Sequence, residues 1–459
     1  MLRPANIVHQ TMPISSAAAP RASSTINHMS VSFAFTSRLM RPVRWPLAGA
    51  ILGSLLACGS VPTPPAPVDD GSTPPLASPP AGAEPAASIT PEVRQTARGR
   101  WVRADWSELP GWHDDSLALA WPALLRSCER VLSLPANGNG AAAAAAAASP
   151  LTITPQQFSQ NWAPSCNAAR ALGPAADDSQ IRSFLQARLQ PWRVEGGEGQ
   201  VEGLMTGYFE PLIEARRQRS ARFSVPLHAP PADLASRKPW YTRAQIETLP
   251  AAQAALKDRV IAWVADPLDA LLVQIQGSGR LLIDEPGGQR KTVRLAYAAH
   301  NDQPYMSIGR WLVEQGAFTL EQANWPAIRQ WARNNPRRLR EMLDVNPRYV
   351  FFREEPMPDP SIGAIGAQGV PLTPGRSIAV DRNSIPYGTP VWLAATEPQP
   401  WQVNPPPPRP LQRLVMAQDT GSAIVGSVRA DYFWGWGDGA EDRAGRTKQP
   451  LRLWVLWPR

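Results

Sequence analysis

Residues 416–437, MAQDTGSAIVGSVRADYFWGWG, place two carboxylates, Asp419 and Asp431, among glycines and aromatic residues. Asp419 follows the apolar run Leu414, Val415, Met416, Ala417 and directly precedes Thr420 and Gly421. This is the pattern of a buried strand opening into a turn, where reactive side chains are commonly mounted. Asp431 heads a segment in which Phe433, Trp434 and Trp436 are interleaved with Gly435 and Gly437. Glycine lets the backbone come close to a ligand and aromatic rings stack on it, so the segment suits a groove for sugars. The plainer reading of Asp431 is a capping or turn aspartate in a glycine-rich loop.

Outward from this stretch the chain reads as mainly β with a few helices. Residues 271–276 (LLVQIQ), 292–297, 376–380, 390–393, 414–417 and 453–457 are short, rich in β-branched or large apolar side chains, and bounded by Gly, Pro or Asp, as strands are. Ile181, Phe184, Leu185 and Leu189 recur at helical spacing after Asp178 and Ser179, which can cap, and Pro191 closes the pattern. Thr242 with Gln245 forms a capping box for a short helix ended by Pro250. A further helix is expected from near Pro304 through Ile308, Trp311 and Leu312 to Gly316, and another over 319–334. Many short strands with few helices favour barrels over a doubly wound sheet. Ala141 to Ala148, after Asn137-Gly138-Asn139-Gly140, reads as a low-complexity loop insertion.

The N-terminal region reads as an export signal. Residues 1–57 hold five Arg, no Lys and no Asp or Glu, and an apolar run from Trp45 to Ala57 ends at Cys58. The sequence Leu55-Leu56-Ala57-Cys58 resembles the lipobox of bacterial lipoproteins, which makes Cys58 the expected lipid-bearing first residue of the mature protein. Translation is expected to start at Met29 or Met40. Residues 58–96 follow as a tether rich in proline, extended and without a core of its own. Removing the five leader arginines from the 46 Lys and Arg leaves 41 basic against 38 acidic residues. A nucleic-acid partner is therefore not suggested. Cys128 and Cys166 read equally well as a disulfide or as two thiols, and no metal ligand set or cofactor motif is present.

Four separated segments together resemble the membrane-bound lytic murein transglycosylase A family. They are 205–211 (MTGYFEP); 273–280 (VQIQGSGR) with 296–310 (AYAAHNDQPYMSIGR); 346–353 (NPRYVFFR) leading into 366–390; and the opening stretch with its tail through Lys448 and Gln449. The similarity spans roughly residues 97–459. It implies a double-psi β-barrel built from both chain ends, 97–211 and 349–459, and a second β-rich domain, 212–348, inserted between them. A groove for a peptidoglycan glycan strand would separate the two. The last part of the barrel resembles a three-aspartate module, whose acidic residues match Asp381, Asp419 and Asp431. The family's catalytic aspartate falls on Asp431, with Asp419 the neighbour that tunes or orients it. Asp381, before Ile385-Pro386-Tyr387-Gly388, is a substrate-side candidate for which a structural bond to backbone amides is the favoured role. Thr206, Tyr208, Gln276, Ser278 and Gly279 lie in motifs that would face the groove, and Trp434 is a candidate for its wall; turn-forming or core roles compete for each.

A glycosidase ordinarily needs two carboxylates. A lytic transglycosylase needs one, because the C6 hydroxyl of N-acetylmuramic acid attacks its own C1 and closes a 1,6-anhydro ring. The aspartate first protonates the glycosidic oxygen and then takes the hydroxyl proton, so it must stay protonated near neutral pH. Two other readings compete: a two-carboxylate murein hydrolase and a non-catalytic peptidoglycan-binding lipoprotein. The expected setting is the periplasmic side of the outer membrane, held by lipid on Cys58, with cell-wall synthesis or division machinery as prospective company.

Overall fold

The computed structural model describes residues 91–133, 154–285, 288–320, 322–357, 359–400 and 404–459. The leader, Cys58, most of the proline-rich tether and the alanine run lie outside these residues. Among the described residues fifteen strands form two sheets. The larger runs in the order β1 (Val93–Gln95), β2 (Gly99–Arg103), β3 (Leu189–Gly196), β15 (Lys448–Pro458), β12 (Pro390–Thr396), β13 (Pro410–Asp419), β11 (Ser377–Val380), β14 (Arg429–Trp436), β4 (Gly203–Glu210). The long β15 turns this ribbon into a nearly closed barrel. Its first residues pair with β4, Lys448 opposite Thr206, while its later ones pair with β12 and β3. Strands from both ends of the described chain thus share one barrel, and the fold is mainly β as expected.

The six-stranded second sheet runs in the order β10 (Val350–Glu355), β9 (Arg290–His300), β8 (Gly279–Asp284), β5 (Leu212–Arg216), β7 (Val260–Val264), β6 (Val225–His228). Strand β10, expected in the barrel beyond Arg348, pairs instead with β9, Val350 opposite His300. The chain returns to the larger sheet only at β11.

Ten α-helices are present among the described residues, more than the pattern suggested. Helices α1 (Trp121–Leu132) and α2 (Pro155–Leu172) cover the barrel and are joined by a Cys128–Cys166 disulfide, Cα to Cα 5.0 Å. In α3 (Asp178–Arg188) the cap is Asp177, which accepts from the Gln180 amide at 2.9 Å. Leu189 and Pro191, read as the end of that helix, begin β3. Thr242 caps α4 (Arg243–Thr248) as expected, and Pro250, read as a terminator, is the first residue of α5 (Pro250–Leu256). The helices expected from Pro304 and from residue 319 start later, as α7 (Ile308–Glu314) and α8 (Trp325–Asn334), capped by Ser307 and Asn324; α9 (Leu339–Asp344) follows and α10 (Asp438–Arg446) precedes β15.

The clearest correction concerns LLVQIQ, which is not a strand but the end of α6 (Pro267–Gln276). Asp266 caps it by accepting from Leu268 N–H at 2.8 Å, and Gly277, with φ +79°, closes it in the left-handed conformation. Its apolar run has no helical period because three bodies surround it. Ala270 and Val273 face the second sheet, Leu268 and Leu271 face α7 to α9, and Leu272 reaches the barrel core. A short apolar run buried on every side carries no periodicity from which helix and strand can be told apart. Among the described residues no helix is long and apolar enough to cross a membrane.

Candidate active site

The two aspartates reach one place through strand order. β11 lies between β13 and β14, and its Ala379 is the register partner of Asp419 on one side and of Asp431 on the other. Neighbouring strands are about 4.8 Å apart, so the two aspartate backbones stand roughly 10 Å apart across a single methyl side chain. β14 runs parallel to β4 on its other edge, pairing Asp431 with Thr206, Phe433 with Tyr208 and Trp436 with Glu210. Side chains alternate along both strands. Met205 and Phe209 of β4 and Tyr432 and Trp434 of β14 enter the barrel core, whereas Tyr208 and Phe433 pack on the opposite face with Ala379, Leu372 and Ile424.

Hydrogen bonds separate the roles of the two carboxyls. Asp431 Oδ1 accepts from the Thr206 hydroxyl at 2.6 Å, while its Oδ2 has no partner among the described residues. Asp419 is held at both oxygens, by the Ala367 amide at 3.0 Å and the Tyr208 hydroxyl at 2.9 Å. Burial raises both above the usual carboxylate value. Asp419 is pushed up to about 6, the charge of Asp431 adding to the effect, and Asp431 is raised by burial against the opposing pull of Thr206 and the Arg429 cation. The Tyr208 hydroxyl, buried beside Asp419, lies well above the ordinary tyrosine range. Tyr305, between β9 and α7, is also raised, by burial first and in part by the charge of Asp431.

Of the candidates drawn from the sequence, Asp431, Asp419, Thr206 and Tyr208 come together. Gln276 stands next to them in a different role: its side-chain oxygen accepts from the Phe209 amide at 3.1 Å, tying the end of α6 to β4. Ser278 is half-buried in the turn before β8, and Gly279 is the buried first residue of that strand. Asp381 is buried and structural, accepting from the Asn383 amide at 2.9 Å and the Gly426 amide at 3.0 Å and pairing with Arg98 at 3.3 Å. Trp434 is a core residue and not a wall, its indole N–H donated to Thr447 Oγ1 at 2.9 Å. The rings on the site's side of β14 are Phe433 and Trp436, the latter with the Arg280 guanidinium 3.7 Å from its centre. Cys58 lies outside the described residues.

The sequence reading passed over Arg429, Ala367, Tyr305 and a buried charge cluster. Glu210, fully buried, accepts from Arg280 Nη2 and Arg294 Nε, each at 3.0 Å. Both arginines also donate to the Ile362 carbonyl, and Arg280 to the Pro360 carbonyl at 2.8 Å, which anchors the segment leading to Ala367. Glu210 and Arg280 sit inside the quoted motifs; a lone charge in an apolar run was the available signal.

Known proteins match this architecture. Residues 204–353 match the MltA specific insert domain and residues 376–457 the 3D domain. A membrane-bound lytic murein transglycosylase A of Vibrio cholerae is 32% identical over 289 residues, covering 60% of this chain and 70% of the relative. The structure resembles a lytic transglycosylase, LtgG, of Burkholderia pseudomallei, with 41% identity, TM-score 0.50, and coverage of 81% of this chain and 99% of that one. It also resembles Escherichia coli MltA with bound chitohexaose, with 28% identity, TM-score 0.52, and coverage of 67% and 86%. With the insert and the C-terminal module both matched and a relative 32% identical over 70% of its length, the chain belongs to the membrane-bound lytic murein transglycosylase A family.

Proposed function

We propose that this protein is a peptidoglycan lytic transglycosylase that cleaves the β-1,4 bond from N-acetylmuramic acid to N-acetylglucosamine, with Asp431 as the single acid and base. The observation that carries the assignment is the free Oδ2 of Asp431 beside an Asp419 whose two oxygens are both engaged. A protonated Asp431 gives its proton to the glycosidic oxygen as the bond to C1 breaks. The C6 hydroxyl of the same muramic residue then bonds to C1 and returns its proton to Asp431, leaving a 1,6-anhydro end and a regenerated acid. Burial, which holds the Asp431 proton against ionisation, supports the first half of this cycle. Asp419 shapes the field around it, and Tyr208, Phe433 and Trp436 form the apolar side of the site. Family membership and the sugar-bound Escherichia coli relative support a glycan ligand. The membrane-bound relatives support an envelope setting, for which Cys58 is the anchor in this reading.

The test is mass analysis of products from purified murein. The wild-type protein is expected to release anhydro-muropeptides, and Asp431→Asn to lose about 10² to 10⁴ of that rate while keeping its far-UV circular dichroism. Reducing ends in place of anhydro ends would make the protein a hydrolase, and near-normal turnover by Asp431→Asn would move the role to Asp419.

A further inference from the structure

Asp431 is reached by a two-step chain of hydrogen bonds that ends on a cation. Arg429 Nη2 donates to Thr206 Oγ1 at 2.8 Å, and Thr206 Oγ1 donates to Asp431 Oδ1 at 2.6 Å. A guanidinium has donors only, so the hydroxyl accepts from it and has one proton left, which goes to the carboxyl. Arg429 is itself fixed across both strands. Its Nη1 donates to the Leu204 carbonyl of β4 at 3.2 Å and to the Ala430 carbonyl of β14 at 2.6 Å, and no carboxylate forms an ion pair with it among the described residues. Its charge is therefore available to the relay.

We propose that Arg429 is a positioning residue acting through Thr206, turning the hydroxyl onto Asp431 Oδ1 and leaving Oδ2 as the oxygen that delivers and recovers the transferred proton. This assignment rests on Asp431 being the acid and base. It replaces the substrate-binding role expected for Thr206, because the one proton of that hydroxyl is already committed. In the first half-reaction the oxygen that accepts the short, charge-assisted bond is the less basic one, so the proton resides on Oδ2. In the second half the same bond stabilises the carboxylate that must form when the proton leaves. The groups around Asp431 are Asp419 from β13, Tyr208 from β4 and Tyr305 from the β9–α7 connection, with Ala379 of β11 between the aspartates; Arg429 is the cation that acts on it.

The experiment is the pH dependence of kcat/KM of the full chain on soluble murein glycan strands. Asp431 must be protonated to act as acid, so its ionisation sets the alkaline limb. Arg429→Gln and Thr206→Val each remove a stabiliser of the carboxylate. Each is expected to move that limb upward by on the order of half a pH unit and to lower kcat at the wild-type optimum about tenfold. The double variant should lose little more than either alone, since both break one relay. Thr206→Ser, which keeps the hydroxyl, should restore the wild-type limb. An unmoved limb in both variants overturns the proposal, and a raised KM with unchanged kcat in Thr206→Val returns Thr206 to substrate binding. Normal turnover by Asp431→Asn would instead overturn the proposed function; loss of turnover there with unmoved limbs here would leave that function standing.

Discussion

At Asp419 the Ala367 amide and the Tyr208 hydroxyl occupy both carboxyl oxygens, and burial lifts the group from 3.8 to about 6. An unfolded chain therefore loses this proton before the folded one does as pH rises. Stability falls between those two values, by roughly 3 kcal/mol once both states are ionised. Asp419→Asn removes this titration, so between pH 4 and pH 7.5 urea unfolding should show a larger drop for wild type than for the variant, which keeps only the contribution of Asp431. An equal drop in both proteins would show that Asp419 is not held protonated by its surroundings. Asp419 was visible where an apolar run meets Thr420 and Gly421, and Asp431 at the head of the run of aromatic residues and glycines. Their partners were not. Thr206 lies 225 positions from Asp431, and Tyr208 lies 211 from Asp419, separations that no local pattern records.

Strand β14 shows why alternation outranks composition. Phe433 and Trp434 are adjacent aromatic residues, yet only Phe433 shares the face of Asp431, while Trp434 points into the barrel and bonds Thr447. That packing explains Gly207 of β4. A Cβ there would come within 2.6 Å of Trp434 Nε1 and 2.8 Å of Thr447 Oγ1. Gly207→Ala should thus push β4 from β14 beside the Thr206–Asp431 pair, destabilising by about 1–3 kcal/mol and lowering turnover. Thermal unfolding with an unchanged midpoint and full activity would refute this packing argument. The cap was legible for α4, which buries one face, and β12 was legible from its large apolar residues and its boundaries. Helix α6 was not, because burial on three sides erased the polar half of its pattern.

Across the whole molecule, the Glu210, Arg280 and Arg294 cluster joins the last residue of β4 in the barrel to β8 and β9 of the second sheet. Removing the shared carboxylate leaves two buried guanidinium groups uncompensated. Glu210→Ala should cost about 3–5 kcal/mol, measurable by urea unfolding, and loosen the segment that carries Ala367 to Asp419. A loss below about 1 kcal/mol would mean that carbonyls alone satisfy both arginines. By itself the sequence determined the mainly β class and the family, and through that resemblance it pointed to Asp419 and Asp431 as candidates, since strand composition, turn residues and motifs are all contiguous along the chain. The tertiary structure decided that β10 pairs with β9, that Trp434 is core, that Asp381 accepts from the Asn383 and Gly426 amides, and that the Thr206 hydroxyl bonds Asp431. Each of those outcomes depends on which strand lies alongside which, and pairing between distant segments is set by the packing of the whole chain rather than by any stretch read alone.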